Sequence, residues 1–371
     1  MTTAKPTTIG ILGAGQLARM LALAGLPLGL RFVTLDPAPD ACAAALSTRI
    51  IGDYGDREKL ERFAGMVDVV TYEFENVPAE SVGYLAERLP VYPSPRALAV
   101  SRDRFTEKSL FVELGIPTPK FLAVDSLDGL KSAVCDIGLP AVLKTRTLGY
   151  DGKGQSVIKS DGDIDGAWAS AGGAPCVLEA FVPFTREISV VAVRGRGGEA
   201  RFYPVGENTH SGGILRHTVC RLGDPMQSAA EELASRLLKR FDYVGVLALE
   251  LFDVGGKLTA NEMAPRVHNT GHWSIEGART SQFENHVRAA AGLPLGGTEA
   301  VCRSAMVNFI GMMPDAAEVL SVDGAHLHDY GKAAKPGRKL GHATVCGEGG
   351  GAVAAGLERL LRLTGKGLDG Q

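Results

Sequence analysis

Two acidic residues stand where acids are costly to place. Glu250 interrupts the apolar run VGVLALELFDV, and Glu262 lies in KLTANEMAPR beyond a turn at Gly255 and Gly256. A buried carboxylate needs a compensating cation, and carboxylates that project toward one point are suited to magnesium. A three-residue hairpin loop would set the two acids opposite one another, whereas a two-residue loop would turn them to alternate faces. Ion pairing with Lys144 or Arg266 would satisfy the same burial without a metal.

Directly after the second acid, APRVHNTGHWSIEG brings Arg266, His268, Asn269 and His272 into one glycine-containing stretch. The planar arginine fork suits bicarbonate or phosphate, and Asn and His add donors. The competing reading is a solvated loop. Upstream, LPAVLKTRTLGYDGKGQ delivers Lys144 on a strand, then sets Gly149, Gly152 and Gly154 among Tyr150, Asp151 and Lys153. Such a loop can close over phosphates. It lacks the GK[ST] ending of a Walker loop and is expected between strands, where a plain hairpin is the alternative.

The opening IGILGAGQLARM places Gly13, Gly15 and Ala18 at GxGxxA spacing, with Asp36 at the end of the next strand. Spacing alone suggests a dinucleotide such as NAD, but a sugar-phosphate would suit the same glycines and helix N-terminus, as would a purely structural turn. TYEFENVP then puts Glu73, Glu75 and Asn76 at the carboxyl end of a parallel strand, a common ligand edge. Helix capping before Pro78 is the plain alternative.

Positioning these groups takes several elements. Strands at Thr8 to Leu12, Phe32 to Leu35 and Val67 to Tyr72, with a helix from Gln16, form a βαβ rhythm and predict a parallel sheet. Pro95 starts a helix, Asp103 caps the next, and Gly115 with Pro117 and Pro119 stops it. Strands at Ala141 to Thr145, Val177 to Ala180, Ile188 to Arg194, Val244 to Asp253 and Lys257 to Glu262, with a helix from Met226 to Phe241, predict a largely antiparallel α+β region. That helix sets Leu233, Leu237, Leu238 and Phe241 on one face, so it covers a sheet. The expected division is residues 1–104, 105–298 and 299–371, the last a small C-terminal unit of short strands that completes a site made by the other two.

Composition narrows the partners. With 371 residues, 45% hydrophobic, 22% charged and a net charge of −3, the chain is globular and advertises no polyanion-binding surface. Small substrates are expected, with no nucleic acid and no membrane. The six cysteines form no CxxC pair and read as buried, reduced thiols. The N-terminus has no signal-peptide pattern, so a cytoplasmic location is expected.

Taken together, GAGQLARM, TYEFENV, DRFTEK, GYDGKGQ, NEMAPRVHNTGHWSIEGARTSQFENHVRA, YGK and GRKLGH resemble the 5-(carboxyamino)imidazole ribonucleotide synthetases nearly end to end. These are ATP-grasp enzymes, the ATPase-subunit type of phosphoribosylaminoimidazole carboxylase. The resemblance implies an ATP-grasp fold with an N-terminal Rossmann-like parallel-sheet domain and a small β-rich C-terminal domain. It implies that ATP meets Arg104, Lys144, the loop Gly149, Tyr150, Asp151, Gly152, Lys153, Gly154 and Gln155, the adenine segment Glu179, Ala180, Phe181 and Val182, then Glu187 at the ribose and His210. Magnesium would bind Glu250 and Glu262, assisted by Asn261.

For aminoimidazole ribonucleotide the resemblance points to Gly15, Gln16, Glu73, Asn76, Tyr150, Asp151, Lys153, Lys332 and Arg338. It also implies a homodimer. The chemistry expected is attack of bicarbonate, held by Arg266, His268 and Asn269, on the γ-phosphoryl group beside Lys144, giving carboxyphosphate. A formate-dependent ATP-grasp transformylase would share the ATP apparatus. An NAD-dependent oxidoreductase would rest on the first glycine motif alone. A noncatalytic nucleotide sensor would leave the anion donors without purpose.

Overall fold

Three sheets carry the site. The computed structural model describes residues 6–149 and 152–365, so Tyr150 and Asp151 lie outside the described residues. The first sheet holds β1 (Thr8–Leu12), β2 (Arg31–Asp36), β3 (Thr48–Ile51) and β4 (Val69–Tyr72) in the order β3-β2-β1-β4. All its pairings are parallel, as the βαβ rhythm predicts. β1 and β4 are buried along their whole length, which is why they read as unbroken apolar and Thr runs.

The second sheet, β5 (Phe121–Val124), β6 (Ala141–Thr145), β7 (Gln155–Ile158) and β8 (Cys176–Ala180), is antiparallel in the order β5-β8-β6-β7. Its own core includes Val124, Leu130, Val134, Leu143 and Leu178. β6 and β7 flank the glycine loop, so that loop joins strands and does not lead into a helix.

The third sheet is the largest. β9 (Arg186–Arg194), β10 (Ala200–Phe202), β11 (Gly206–Ser211), β12 (Ile214–Cys220), β13 (Gly245–Asp253), β14 (Leu258–Ala264), β15 (Arg303–Ile310), β16 (Ala325–Asp329) and β17 (Lys339–Gly347) run in the order β14-β13-β9-β11-β12-β15-β17-β16, with β10 on β9. Sequence leads one to expect short C-terminal strands that complete a site made by the other two units. Yet β15 pairs with β12 over His217 to Val219, and β17 runs nine residues, so the C-terminal strands continue the central sheet.

Helix Gln227–Arg240 buries Leu233, Leu237 and Leu238 against Val190, Leu247 and Leu249, the face its periodicity predicts. The first sheet is not isolated either. Ile9, Met20 and Leu21 share a core with Val246, Phe283 and Val287, which fixes its strand ends relative to the central sheet. The six cysteines are free, but only Cys176 and Cys220 are buried, and Cys135 is exposed, against the expectation of burial for all. Among the described residues no helix is long and apolar enough to cross a membrane.

One buried junction makes a pH prediction. His286 Nε2 lies 2.8 Å from Thr71 Oγ1, and its Nδ1 accepts from the Val246 amide at 3.1 Å. Burial pulls its pKa down to about 4. The unfolded chain has an ordinary imidazole pKa of about 6.5, so it binds a proton that the folded chain refuses, and stability falls as pH drops from about 6.5 toward 4. From this junction we expect about 2 kcal/mol to be lost between pH 7 and 5. Calorimetric melting temperatures should fall over that range, and a His286→Gln variant should show a shallower slope.

Candidate active site

Glu250 and Glu262 face each other. Glu250 on β13 pairs in register with Glu262 on β14, but the hairpin loop is not what sets this. Asp253 opposes Leu258 and Leu251 opposes Ala260, and the register then shifts by one residue, so Asn261 is the extra residue of a β-bulge. In a regular ladder Asn261 would oppose Glu250. The bulge brings Glu262 there instead and lets Asn261 reach the same site, with its Oδ1 3.2 Å from Lys144 Nζ.

The alternative to a metal, an ion pair with Lys144 or Arg266, is not what forms; the two acids have other partners. Glu262 Oε2 lies 2.6 Å from Arg104 Nη1, and Glu250 Oε1 lies 3.3 Å from His268 Nε2. Lys144 pairs with Glu179 at 3.1 Å, and Arg266 with Glu75 at 2.6 Å. Burial, then the charge of Glu262, pushes the Glu250 carboxyl up to about 7. Burial also acts on Glu262, but the Arg104 guanidinium outweighs it and holds that carboxyl down to about 2. Two acids set this close are underneutralised, and magnesium commonly uses one or two carboxylates plus substrate phosphates. The donor set therefore fits that ion.

Behind the bulge lie two charged residues that the sequence reading passed over. Lys108 Nζ is within 3.1 Å of both Glu179 Oε2 and the Asn261 carbonyl, and Glu107 Oε1 accepts from the Met263 amide at 2.7 Å. Both are buried on helix Arg104–Glu113. They occupy the outer edge of β14, whose backbone groups would otherwise lack partners. The available signal was two charged residues, in DRFTEK, on the same helical face as Leu110 and Phe111.

The glycine motif at the N-terminus does something other than cradle a nucleotide. Glu73 accepts from the Gly15 amide and, at 2.9 Å, from the Ala18 amide, so its carboxylate fills the anion position at the start of helix Gln16–Gly25. A Cβ on Gly13 would lie 2.5 Å from Glu73 Cγ, and one on Gly15 would lie 2.7 Å from Glu73 Oε1. Asp36, placed for a ribose in the NAD reading, accepts from Ala14 and Ala38 amides and from Tyr54. The glycines therefore admit an internal carboxylate, and the dinucleotide reading fails on geometry.

A cavity of about 970 Å³ joins these parts. Lys144, Gly149, Gly152, Lys153 and Gln155 line it from the second sheet, and Gly152 packs so closely on the β11–β12 turn that a Cβ would sit 2.8 Å from Gly213 Cα. Glu179, Ala180, Phe181 and Val182 line one end beside Val142, Phe252 and Met263. Lys108 and Lys144 both meet Glu179 Oε2, whereas Oε1 is buried without a partner among the described residues, so the segment offers a base one free carboxylate oxygen beside its backbone and apolar surface. Glu187 Oε2 holds His210 Nδ1 at 2.7 Å; burial opposes a charge there, but this pairing raises the imidazole pKa.

At the other end Gln16, Glu73, Asn76, Lys332 and Arg338 meet, joined by Lys335 and Lys339, which sequence reading had not assigned. Lys332 donates to Gln16 Oε1, and burial lowers its pKa. Burial and then Arg266 keep His268 well below the ordinary imidazole range, hence neutral. Asn269 exchanges amide hydrogen bonds with Asn308 at 3.0 and 2.8 Å. His272 lies buried with its Nδ1 3.2 Å from Gln282 and its ring against Phe283 and His342, which makes it a core histidine more than an anion donor.

An anion-rich slot at one end and a cationic one at the other, under one glycine loop, invites comparison with known enzymes. Residues 6–102 match the ribonucleotide synthetase preATP-grasp domain, 109–283 the ATP-grasp domain, and 304–355 the phosphoribosylaminoimidazole carboxylase C-terminal domain. The N5-carboxyaminoimidazole ribonucleotide synthase of Pseudomonas aeruginosa is 60% identical over 91% of this chain and 94% of its own. The chain belongs to the N5-carboxyaminoimidazole ribonucleotide synthase family. It has the ATP-grasp fold and is an ATP-dependent ligase of purine biosynthesis. The family's crystal structure from Thermus thermophilus matches with a TM-score of 0.92 and 53% identity, over 96% of this chain and 99% of that one. The synthase from Aspergillus clavatus, in complex with ADP and 5-aminoimidazole ribonucleotide, matches with a TM-score of 0.90 and 30% identity over 97% and 99%.

Proposed function

We propose that this chain uses ATP to join bicarbonate to the exocyclic amine of 5-aminoimidazole ribonucleotide, giving the N5-carboxy product, ADP and phosphate. The observation that carries this is one cavity with the Glu250 and Glu262 pair beside Lys144 toward one end and Lys332 with Arg338 at the other. The first end suits a triphosphate and the second a sugar-phosphate.

In this scheme ATP lies between the Glu179 to Val182 segment and Glu187 with His210, and Arg104 and Lys144 meet its phosphates. Arg104 exchanges its Glu262 partner for phosphate oxygen as the nucleotide enters. Glu250 and Glu262 would hold magnesium, which offsets phosphate charge when bound. Arg266 lines the cavity, and its Nε is buried without a partner among the described residues, which supports a bicarbonate held there beside His268 and Asn269.

A bicarbonate oxygen attacks the γ-phosphorus, the bond to ADP breaks, and carboxyphosphate forms. It splits to phosphate and carbon dioxide, and the substrate amine bonds to that carbon and gives up a proton. Closure of the loop at Gly149, Gly152, Lys153, Gly154 and Gln155, with Tyr150 and Asp151, would keep water from the carbon dioxide.

The reading divides the chain at residues 104 and 298, close to the limits of the matched domains. It extends to a cytoplasmic homodimer, supported by six free thiols for the compartment and by family resemblance for the dimer. The test is ADP release with aminoimidazole ribonucleotide in degassed buffer, with bicarbonate or formate added back. Bicarbonate alone should restore turnover. Restoration by formate, or ADP release indifferent to both, defeats the proposal.

A further inference from the structure

The segment TSQFENHV contributes no group to the scheme above, yet it is packed against the site. Ser281 caps helix Gln282–Ala291 by accepting from the Glu284 amide at 3.1 Å. Gln282, fully buried in the first turn, turns its side chain back onto His268. Its Nε2 donates to the His268 carbonyl at 2.6 Å, and its Oε1 accepts from the His268 amide at 2.9 Å. One primary amide thus satisfies both backbone groups of one residue, as a neighbouring β-strand would.

Gln282 is itself held. Its backbone amide donates to Ser274 Oγ at 3.0 Å, and that hydroxyl donates to the Gly271 carbonyl at 2.6 Å. His286, one turn along, ties the same helix to Thr71 and Val246. The His268 ring is set from the other side. Thr270 Oγ1 lies 3.0 Å from Nδ1, and the Thr270 amide donates to Nδ1 at 3.4 Å. With Nδ1 accepting, the proton sits on Nε2, which is the nitrogen that faces Glu250 at 3.3 Å.

We propose that Gln282 is a positioning residue for the anion step: it clamps the His268 backbone and so holds Nε2–H, which meets Glu250 at 3.3 Å, at the stretch of cavity wall where Arg266 would bind bicarbonate. The clamp acts through His268 and never touches substrate. It rests on the bicarbonate reading above, and the test keeps the two apart.

Wild-type ADP release is first measured against bicarbonate concentration. Absence of bicarbonate dependence would remove the functional reading itself. Given that dependence, Gln282→Met, similar in size but unable to pair with the backbone, should raise KM for bicarbonate by about tenfold to a hundredfold, as expected for a misaimed group. KM for ATP should stay within about twofold, because the hydrogen bonds of Gln282 go to the His268 backbone, Ser274 and His272, none of them among the residues assigned to ATP. Gln282→Glu, which keeps the acceptor for the His268 amide but loses the donor, should fall between wild type and Gln282→Met. If the methionine variant does not fold, the glutamate variant carries the same comparison. The double variant Gln282→Met with His268→Ala should be no worse than His268→Ala alone. An unchanged bicarbonate KM, equal rises in every KM, or fully multiplicative effects in the double variant would overturn the proposal.

Discussion

Glu262→Gln should cut ADP formation by about a thousandfold or more, roughly 4 kcal/mol of transition-state stabilisation, while the protein stays folded. The replacement keeps shape and removes one of two charges that face each other across β13 and β14. Arg104 loses its 2.6 Å partner, but it lines the cavity and can be hydrated there, so the fold tolerates the change. Steady-state ADP release reports the loss, and a melting curve reports the fold. Calorimetric titration with magnesium in the presence of ADP gives a readout free of turnover, and binding heat should weaken sharply. Normal turnover in this variant would sink the metal assignment for both acids.

The second large effect is expected at the opposite end of the cavity. Lys332→Met should raise KM for aminoimidazole ribonucleotide by about a hundredfold, near 3 kcal/mol for a lost charge-assisted contact. KM for ATP should move by no more than about twofold. Lys332 donates to Gln16 Oε1, so the C-terminal loop reaches the first helix. Initial-rate kinetics with each substrate varied in turn separates the two constants. An equal rise in both would mean that the lysine supports the whole cavity and not one substrate.

Much of this architecture could be read from residue order, because its cues are local. β6 has the predicted limits because a run of Ala, Val and Leu enters the sheet and the chain then turns polar and glycine-rich. Asp103 caps its helix as its position suggested, accepting from the Phe105 and Thr106 amides at 2.9 and 3.1 Å. What could not be read depends on contacts between distant residues. No local pattern marks Asn261 as a bulge, because its extra length shows only against β13. Glu73 meets Gly15 and Ala18 across more than fifty residues, so a glycine motif that looked made for a ligand is filled from within. Lys108 and Glu107 look like an ordinary charged helix surface until β14 is laid against them.

The glycine loop is a different case. Its glycines and its place between β6 and β7 were legible, but Tyr150 and Asp151 lie outside the described residues. Their part in substrate binding therefore stands on resemblance. Lys335 lies in a loop and Lys339 opens β17, and neither position carries a periodicity that would single a lysine out.

The pairing of β15 with β12 bears on how the chain must be made. As it leaves the ribosome, the polypeptide completes β12 long before β15, β17 and β16 exist, so a ladder of bare amides and carbonyls stays exposed through that interval. Misjoining with a second nascent copy is a hazard of that window, and a stop codon placed just before Arg303 would make it permanent. Such a truncated product should collect in inclusion bodies.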